Sequence, residues 1–169
     1  MKLQTSFFTR DVLIVAPELL GKTIVRIMDN GSKKEFQITE VEVYRGEEDM
    51  ACHARKGRTP RTEVMYANGG TIYVYLIYGM YWMLNFVTAT EGIPQAILIR
   101  GVDLTIGPGK VTKLLEIDKS FNTENLCTSN RIWVEDKQVK VNYTTAKRVG
   151  IEYAGEYWKN IEWRFILKT

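Results

Sequence analysis

The sequence predicts an α+β fold, with one domain over residues 1–169 built on a mainly antiparallel β-sheet and a few short helices. Three observations lead to this prediction. Candidate strands outnumber candidate helices, most connections are short, and turn signals separate two pairs of strands. The chain has 169 residues, 45% of them hydrophobic, which is enough to form a core without disulfides.

The first half of the chain contains two predicted hairpins. Pro17 followed by ELLG predicts a short helix with Pro17 in its first turn and Gly21 at its end. KTIVRIM and EFQITEVEVY then flank Asn30-Gly31, a pair typical of tight hairpin turns. Residues 45–70 contain glycines and a proline and are expected to be irregular or short-helical. TIYVYLIY and MYWMLNFVT form the second hairpin.

The second half supplies the remaining elements. QAILIRGVDL is predicted as a strand, and KVTKLLEI as a helix with Val111, Leu114 and Leu115 on one face. The segments RIWVED, RVGI and WRFILK are predicted as short strands.

Charge and cysteine content limit the function without fixing it. The net charge of +3 and the pI of about 8.8 permit a phosphate-bearing partner. Cys52 and Cys127 have no metal-like spacing, which favours a reduced, cytoplasmic protein. The apolar run near the N-terminus is too short and interrupted for a signal peptide or a membrane span, so we expect no membrane association.

Several catalytic motifs are excluded. LTIGPGKV lacks the first glycine of a phosphate-binding loop, and Val111 stands where Ser or Thr would bind magnesium. The zinc deaminase signature is absent. His53 is the only histidine, which excludes a multi-histidine metal centre. Cys52 precedes it directly, and adjacent strand residues point to opposite faces, which disfavours a Cys–His catalytic pair.

The segment EVEVYRGEEDMACHARKGRTPR, residues 40 to 61, joins a strand to a basic loop. Alternation places Glu40, Glu42 and Tyr44 on one strand face, opposite Val41 and Val43, which face the core. On this strand alone, the glutamates would be expected on a solvated face. The cations of the segment are Arg45, Arg55, Lys56, Arg58 and Arg61. By themselves these cations indicate a solvated loop. Beside an aromatic hairpin, they are typical of a surface that binds nucleic acid.

The hairpin TIYVYLIYGMYWMLNF, residues 71 to 86, holds six of the nineteen aromatic residues of the chain. Core packing is expected for Tyr73, Tyr81, Trp82 and Phe86. Tyr78 stands beside Gly79 at the turn, where there is little core to pack into. Tyr78 is therefore expected to have a different role.

Together these segments resemble the alkyladenine (3-methyladenine) DNA glycosylase family. The resemblance extends to SFFTRDVLIVAPELLGKTIVR, ILIRG, GPGKVTKLLEIDKSFN, RVGIEYAGE and WRFIL, in that order, and covers roughly residues 6 to 168. It implies a single mixed domain with a curved sheet, from which a protruding β-hairpin intercalates into DNA. It also implies removal of damaged purines from double-stranded DNA without a metal or cofactor.

The resemblance assigns Glu42 and Arg100 to catalysis. Breaking the glycosidic bond builds positive charge on the sugar, and a carboxylate can both face that charge and take a proton from the attacking water. Arg100 in ILIRG would hold the water with Glu42. An ordinary salt bridge at a strand end is the alternative for Arg100.

The resemblance also assigns the base-binding residues. Tyr78 would intercalate into the DNA, Tyr44 and Tyr75 would stack on the flipped base, and His53 would complete the pocket wall. Asn85 would exclude the 2-amino group of normal guanine; a structural residue in an apolar strand is its alternative.

The remaining expectations concern partners and products. We expect a monomer that binds damaged duplex DNA, with Arg55 and Arg58 contacting its backbone. No lysine occupies a Schiff-base position, so an abasic site without strand cleavage is expected. Glu40 has no assigned role and is expected at the surface. Two alternatives stay open: a non-enzymatic single-stranded nucleic-acid binding module, and a hydrolase of free nucleosides.

Overall fold

The computed structural model describes residues 1–169 and confirms the α+β class. Its strands are β1 (Thr23–Ile27), β2 (Lys33–Arg45), β3 (Ile72–Ile77), β4 (Tyr81–Val87), β5 (Gln95–Val102), β6 (Thr105–Ile106), β7 (Ile132–Glu135), β8 (Tyr143–Ala146) and β9 (Arg164–Leu167). Its helices are α1 (Thr5–Phe8), α2 (Val12–Leu19), α3 (Pro108–Leu114) and α4 (Gly155–Asn160). Short 3₁₀ helices cover His53–Lys56, Glu63–Tyr66, Lys119–Phe121 and Glu152–Ala154. No helix has the length and apolar character needed to cross a membrane.

The strands form one curved, antiparallel sheet in the order β3-β4-β5-β2-β1-β7. β6 pairs with the end of β5, and β9 pairs with both β2 and β8. The thirteen-residue β2 is the central strand, because its first half pairs with β1 and its second half lies between β5 and β9. The predicted turn at Asn30-Gly31 joins β1 to β2, with Gly31 in the left-handed region at φ 84°.

The core occupies one face of this sheet. A cluster of 26 buried apolar residues runs from Phe8 to Phe165 and includes Val41 and Val43 of β2, as the alternation predicts. Val111 and Leu115, in α3 and directly after it, are fully buried in the same cluster. The opposite face of β2 is therefore free to carry polar groups.

Two predictions about local structure are wrong. The helix near Pro17 begins at Val12, because the side chain of Asp11 accepts a hydrogen bond from Leu13 N and caps the helix there. Pro17 lies in the last turn of this helix and not in the first.

The segment RVGI is not a strand. Its Arg148 is drawn into a buried ion pair, and Gly150 has φ 73°, so the chain forms a loop.

The hairpin β3–β4 is paired from Ile72↔Phe86 to Ile77↔Tyr81. Tyr78 and Gly79 form its tip with φ values of 52° and 66°, and Met80 N donates to Ile77 O. The Tyr78 side chain is 87% exposed.

The prediction that Tyr81 packs in the core is wrong, because Tyr81 lies beyond the end of the core and is 46% exposed. Its ring packs on Gly109, where an added Cβ would lie 3.0 Å from Tyr81 Cδ1.

Candidate active site

A cavity of about 450 Å³ opens beside the hairpin. Most of the lining side chains are apolar or aromatic, which suits a flat organic ring. Six residues assigned from the sequence line it: Tyr44, His53, Tyr75, Tyr78, Asn85 and Arg100. The sheet brings them together because β2, β3, β4 and β5 are neighbours, although Tyr44 and Arg100 lie far apart in the chain.

Glu42 lies directly behind the cavity wall and is fully buried. Its Oε1 accepts a hydrogen bond from Val149 N at 3.1 Å and lies 3.1 Å from Arg100 Nη1. Its Oε2 accepts a hydrogen bond from the Tyr44 hydroxyl at 2.9 Å. All three partners line the cavity, so the carboxylate forms a second layer beneath its surface.

The environment of Glu42 opposes its ionisation in part. Burial raises the pKa of Glu42, while Arg100, the Val149 amide and the Tyr44 hydroxyl lower it, and the pKa stays above the ordinary 4.5. The carboxylate is thus a stronger base than an exposed glutamate.

The prediction that Glu40 lies at the surface is wrong. Glu40 is 5% exposed, and its Oε1 accepts a hydrogen bond from Arg164 Nη1 at 2.6 Å. The reason is the position of β2 between two strands, together with a register shift at Glu40. Gly101 opposite makes room, since a Cβ there would lie 3.1 Å from Glu40 Cβ. Arg100 Nε lies 3.9 Å from Glu40 Oε1, is buried, and has no hydrogen-bond partner.

Aromatic rings form the other walls. The rings of His53 and Tyr75 meet edge to face at 4.5 Å, and Tyr73 lies 5.2 Å from Tyr75. His53 Nδ1 shares a hydrogen bond of 3.0 Å with the Tyr73 hydroxyl. Burial, followed by Arg61 and Arg55, lowers the pKa of His53 to about 4. The imidazole is therefore neutral at pH 7.

Asn85 is buried in β4 at the cavity wall. Its Nδ2 donates to the carbonyl oxygen of Tyr73 at 3.2 Å, and that of Met83 lies 3.5 Å away. These backbone contacts fix the orientation of the amide. A residue held in this way can act as a rigid part of the wall.

The cations of the basic loop differ in their surroundings. Arg58 donates to Glu63 Oε2 at 2.9 Å and lies over the Tyr66 ring. Arg55 lies over Tyr153 at 5.4 Å, and Arg61 over Tyr75 at 5.2 Å, both rings of the cavity. Neither Arg55 nor Arg61 forms a salt bridge, whereas the charge of Arg58 is already paired.

Sequence comparison identifies the family. The family model described as Methylpurine-DNA glycosylase (MPG) matches residues 6–106 and 101–169, nearly the whole chain. The chain belongs to this glycosylase family. It is therefore a DNA glycosylase, a hydrolase of N-glycosyl bonds that acts in DNA repair and processes alkylated bases, and DNA is its substrate.

Relatives support the same assignment along the full length. A protein of Desulfitobacterium hafniense (strain Y51), named "Putative 3-methyladenine DNA glycosylase", is 44% identical over 99% of this chain and 95% of its own. Proteins of the same name from Rickettsia felis and Legionella pneumophila (strain Corby) are 46% and 43% identical. They cover 88% and 99% of this chain, and 85% and 94% of their own lengths. The resemblance found in the sequence is confirmed.

The site of this glycosylase includes a buried ion pair that sequence reasoning missed. Arg148 and Asp49 are both fully buried and joined by two hydrogen bonds, of 2.7 and 3.1 Å. Arg148 also donates to the carbonyl oxygens of Val43 and Trp158, and its guanidinium lies over the Tyr44 ring at 5.2 Å. The pair fixes the loop that carries Val149. No motif signals it, because the two residues are 99 positions apart.

Proposed function

We propose that this enzyme is a monofunctional glycosylase of base excision repair. It flips alkylated or deaminated purines, namely 3-methyladenine, 7-methylguanine and hypoxanthine, out of double-stranded DNA. It then hydrolyses the glycosidic bond with a water activated by Glu42 and leaves an abasic site. The whole chain acts as one domain and as a monomer, without metal or cofactor. The observation that carries this proposal is the buried Glu42–Arg100 pair behind an aromatic cavity beneath an exposed tyrosine tip.

The walls of the cavity suit a damaged purine. Tyr44 and Tyr75 stack on the flipped base, and stacking of this kind contributes about 1–3 kcal/mol per base. A methylated purine is cationic and is attracted further to the negative faces of these rings. His53 is neutral at pH 7, so it does not repel such a base.

Tyr78 stabilises the flipped state from the DNA side. Extruding a nucleotide costs a few kcal/mol of lost stacking and pairing. An apolar or aromatic side chain that enters the vacated space recovers part of that cost. Tyr78 suits this role because its ring is 87% exposed at the hairpin tip while it also borders the cavity.

Glu42 and Arg100 carry the chemistry. The ionised carboxylate faces the positive charge that develops on the sugar and takes the proton of the attacking water. A cationic methylpurine leaves as a neutral base, so no acid is required. Hypoxanthine is neutral in DNA and leaves as an anion, which then takes up a proton from water. In the free protein Glu42 has no exposed surface, so one of its oxygens must become accessible when the substrate binds.

Asn85 supplies selectivity against normal guanine. Its amide is fixed by the carbonyl oxygen of Tyr73 and cannot swing aside without losing that bond. The 2-amino group of guanine would meet this fixed side chain, whereas adenine and hypoxanthine have no such group. 7-Methylguanine keeps the 2-amino group, but its positive charge strengthens its attraction to the aromatic rings and makes it a better leaving group, which offsets the clash.

Base release from a duplex with a single lesion tests the proposal. The duplex carries 7-methylguanine or hypoxanthine, EDTA is present, and alkali converts abasic sites into strand breaks. We expect breaks only after alkali treatment, and only at the lesion. Binding should weaken steeply as the salt concentration rises, because phosphate contacts release counterions.

Three outcomes would contradict the proposal. Breaks before alkali treatment would mean that the enzyme also cleaves the strand. Binding to undamaged single strands without base release would identify a binding module. Release from free nucleosides with no response to salt would identify a nucleoside hydrolase.

A further inference from the structure

We propose that Glu40 is a positioning residue for this reaction. When a damaged nucleotide fills the cavity, Glu40 draws the guanidinium of Arg100 away from Glu42, which opens Oε1 of Glu42 to the attacking water. This inference rests on the proposed role of Glu42 as the base.

Glu42 is blocked in the free protein. Both of its oxygens contact donors, and no part of the residue is exposed. A general base must lie within about 2.6–3.2 Å of the group whose proton it takes. One partner of Glu42 must therefore withdraw before a water can reach it.

Arg100 is the partner of Oε1 that can withdraw, since the Tyr44 hydroxyl contacts Oε2. The Val149 amide is part of the backbone and follows Arg148 directly. The Arg148 side chain forms four hydrogen bonds, to Asp49, Val43 and Trp158, and these hold the Val149 amide in place. The side chain of Arg100, in contrast, is long, lines the cavity and is 14% exposed. Its contact with Glu42 Oε1 is a single one, through Nη1 at 3.1 Å.

The unpartnered Nε of Arg100 indicates where the side chain can go. This N–H is buried and lies 3.9 Å from Glu40 Oε1. Since an N–H···O hydrogen bond is about 2.9 Å long, a movement of about 1 Å would form one here. Leaving a buried donor without a partner is unfavourable, because the group has lost its hydrogen bonds to water. Forming this bond would therefore offset the loss of the contact with Glu42.

Glu40 is held in place to receive Arg100. Its Oε1 accepts a hydrogen bond from Arg164, and Arg164 Nε donates to the carbonyl oxygen of Lys147 at 2.7 Å. The antiparallel pairing of β2 with β9 fixes both residues. The carboxylate cannot follow Arg100 toward the cavity, so Arg100 must move toward it.

The test compares the native enzyme with Glu40→Gln in single-turnover excision of 7-methylguanine, with saturating protein and from about pH 4 to 8. A misplacement of about 1 Å at a reaction centre can lower a rate about 100-fold. We expect the excision rate at neutral pH to fall roughly 10- to 100-fold, with little change in the Kd of the lesion duplex.

The pH profile separates positioning from packing. With Arg100 held on Glu42 and one neighbouring negative charge removed, Glu42 becomes easier to ionise, so the acid limb should move to lower pH. The ionisable groups around Glu42 are Glu40 and Tyr44 of β2, Tyr75 of β3, Arg100 of β5, Arg164 of β9 and Arg148 of the loop. Only the Glu40 charge is changed.

Arg164→Gln is the matched control. It removes the cation that holds Glu40 in place but leaves the carboxylate available to Arg100, so it should lose less of the rate than Glu40→Gln. Because it removes a positive charge, its acid limb should not move to lower pH. Glu40→Asp keeps the charge but shortens its reach. It should be slowed less than Glu40→Gln, and it carries the test if Glu40→Gln does not fold.

Two results would overturn the inference. One is a native rate in Glu40→Gln. The other is an equal loss in Glu40→Gln and Arg164→Gln with no movement of the acid limb, which would mean that the pair only packs β9 against β2. Glu42→Gln measured in parallel separates the two proposals, since an active Glu42→Gln contradicts the role of Glu42 itself.

Discussion

Replacing Tyr78 by asparagine is expected to stabilise the folded protein and to impair its action on damaged DNA. Tyr78 has φ 52°, a left-handed conformation that costs residues with a Cβ roughly 1–2 kcal/mol. Asparagine tolerates this conformation better. The Tyr78 ring is 87% exposed, so almost no packing is lost. We expect a gain of about 1 kcal/mol, which raises the Tm by about 2–4 °C for a chain of this size.

The same change removes the Tyr78 ring, which is proposed to intercalate into the DNA. Stacking of a ring on a base is worth about 1–3 kcal/mol, so the Kd of the lesion duplex should rise about 5- to 150-fold. Excision at subsaturating protein should slow in proportion. The strain at the tip is then a cost to stability that serves the reaction.

Thermal unfolding and fluorescence anisotropy with a labelled lesion duplex measure the two effects. Tyr78→Phe keeps both the ring and the strain and should behave as the native protein. Tyr157→Asn removes an exposed tyrosine of α4 that does not line the cavity, and it controls for general loss of aromatic surface. Native binding by Tyr78→Asn would refute the intercalation of Tyr78 into the DNA. A lower Tm would refute the destabilising effect of its left-handed backbone conformation.

Three further predictions follow from the site. The single-turnover excision rate should fall as the pH falls, because Glu42 becomes protonated. Burial holds the pKa of Glu42 above 4.5. A rate that stays constant down to pH 4.5 would therefore contradict the role of Glu42 as the base. Asn85→Ser should increase release of undamaged guanine, measured as abasic sites in unmodified DNA; unchanged selectivity would leave Asn85 a purely structural residue. Arg148→Met leaves Asp49 buried and unpaired, so urea denaturation should show a loss of about 3–5 kcal/mol, and a loss below about 1 kcal/mol would show that the pair is unimportant for stability.

Much of the fold could be predicted from local patterns. The alternation of Val41 and Val43, the Asn30-Gly31 turn and the two strands around Gly79 each depend on neighbouring residues only, and the structure contains all three. The segment RVGI was misassigned because its conformation depends on Asp49, which is distant in sequence. The local sequence pattern of RVGI contains no information about a partner that lies far away in the chain.

The site could be predicted only in part for the same reason. The family resemblance groups Glu42, Tyr44, His53 and Arg100 in one site; in the structure Tyr44, His53 and Arg100 line one cavity, and Glu42 lies behind its wall. Alternation predicted a solvated Glu40, since it reports which face of a strand a residue occupies but not what covers that face. In the structure β2 lies between β5 and β9, and Arg164 of β9 meets Glu40.

Glu42→Gln, measured in single-turnover excision with saturating protein, is the decisive test of Glu42 as the base that activates the water. Burial raises the pKa of Glu42 in the folded state, so the stability that this residue contributes below its unfolded pKa is lost as the pH rises. A neutral amide avoids that loss, and the variant should be at least as stable as the native protein at pH 7. We expect retained binding of the lesion duplex with excision slowed by about 10²–10⁴-fold. Excision at the native rate by the folded variant would contradict it.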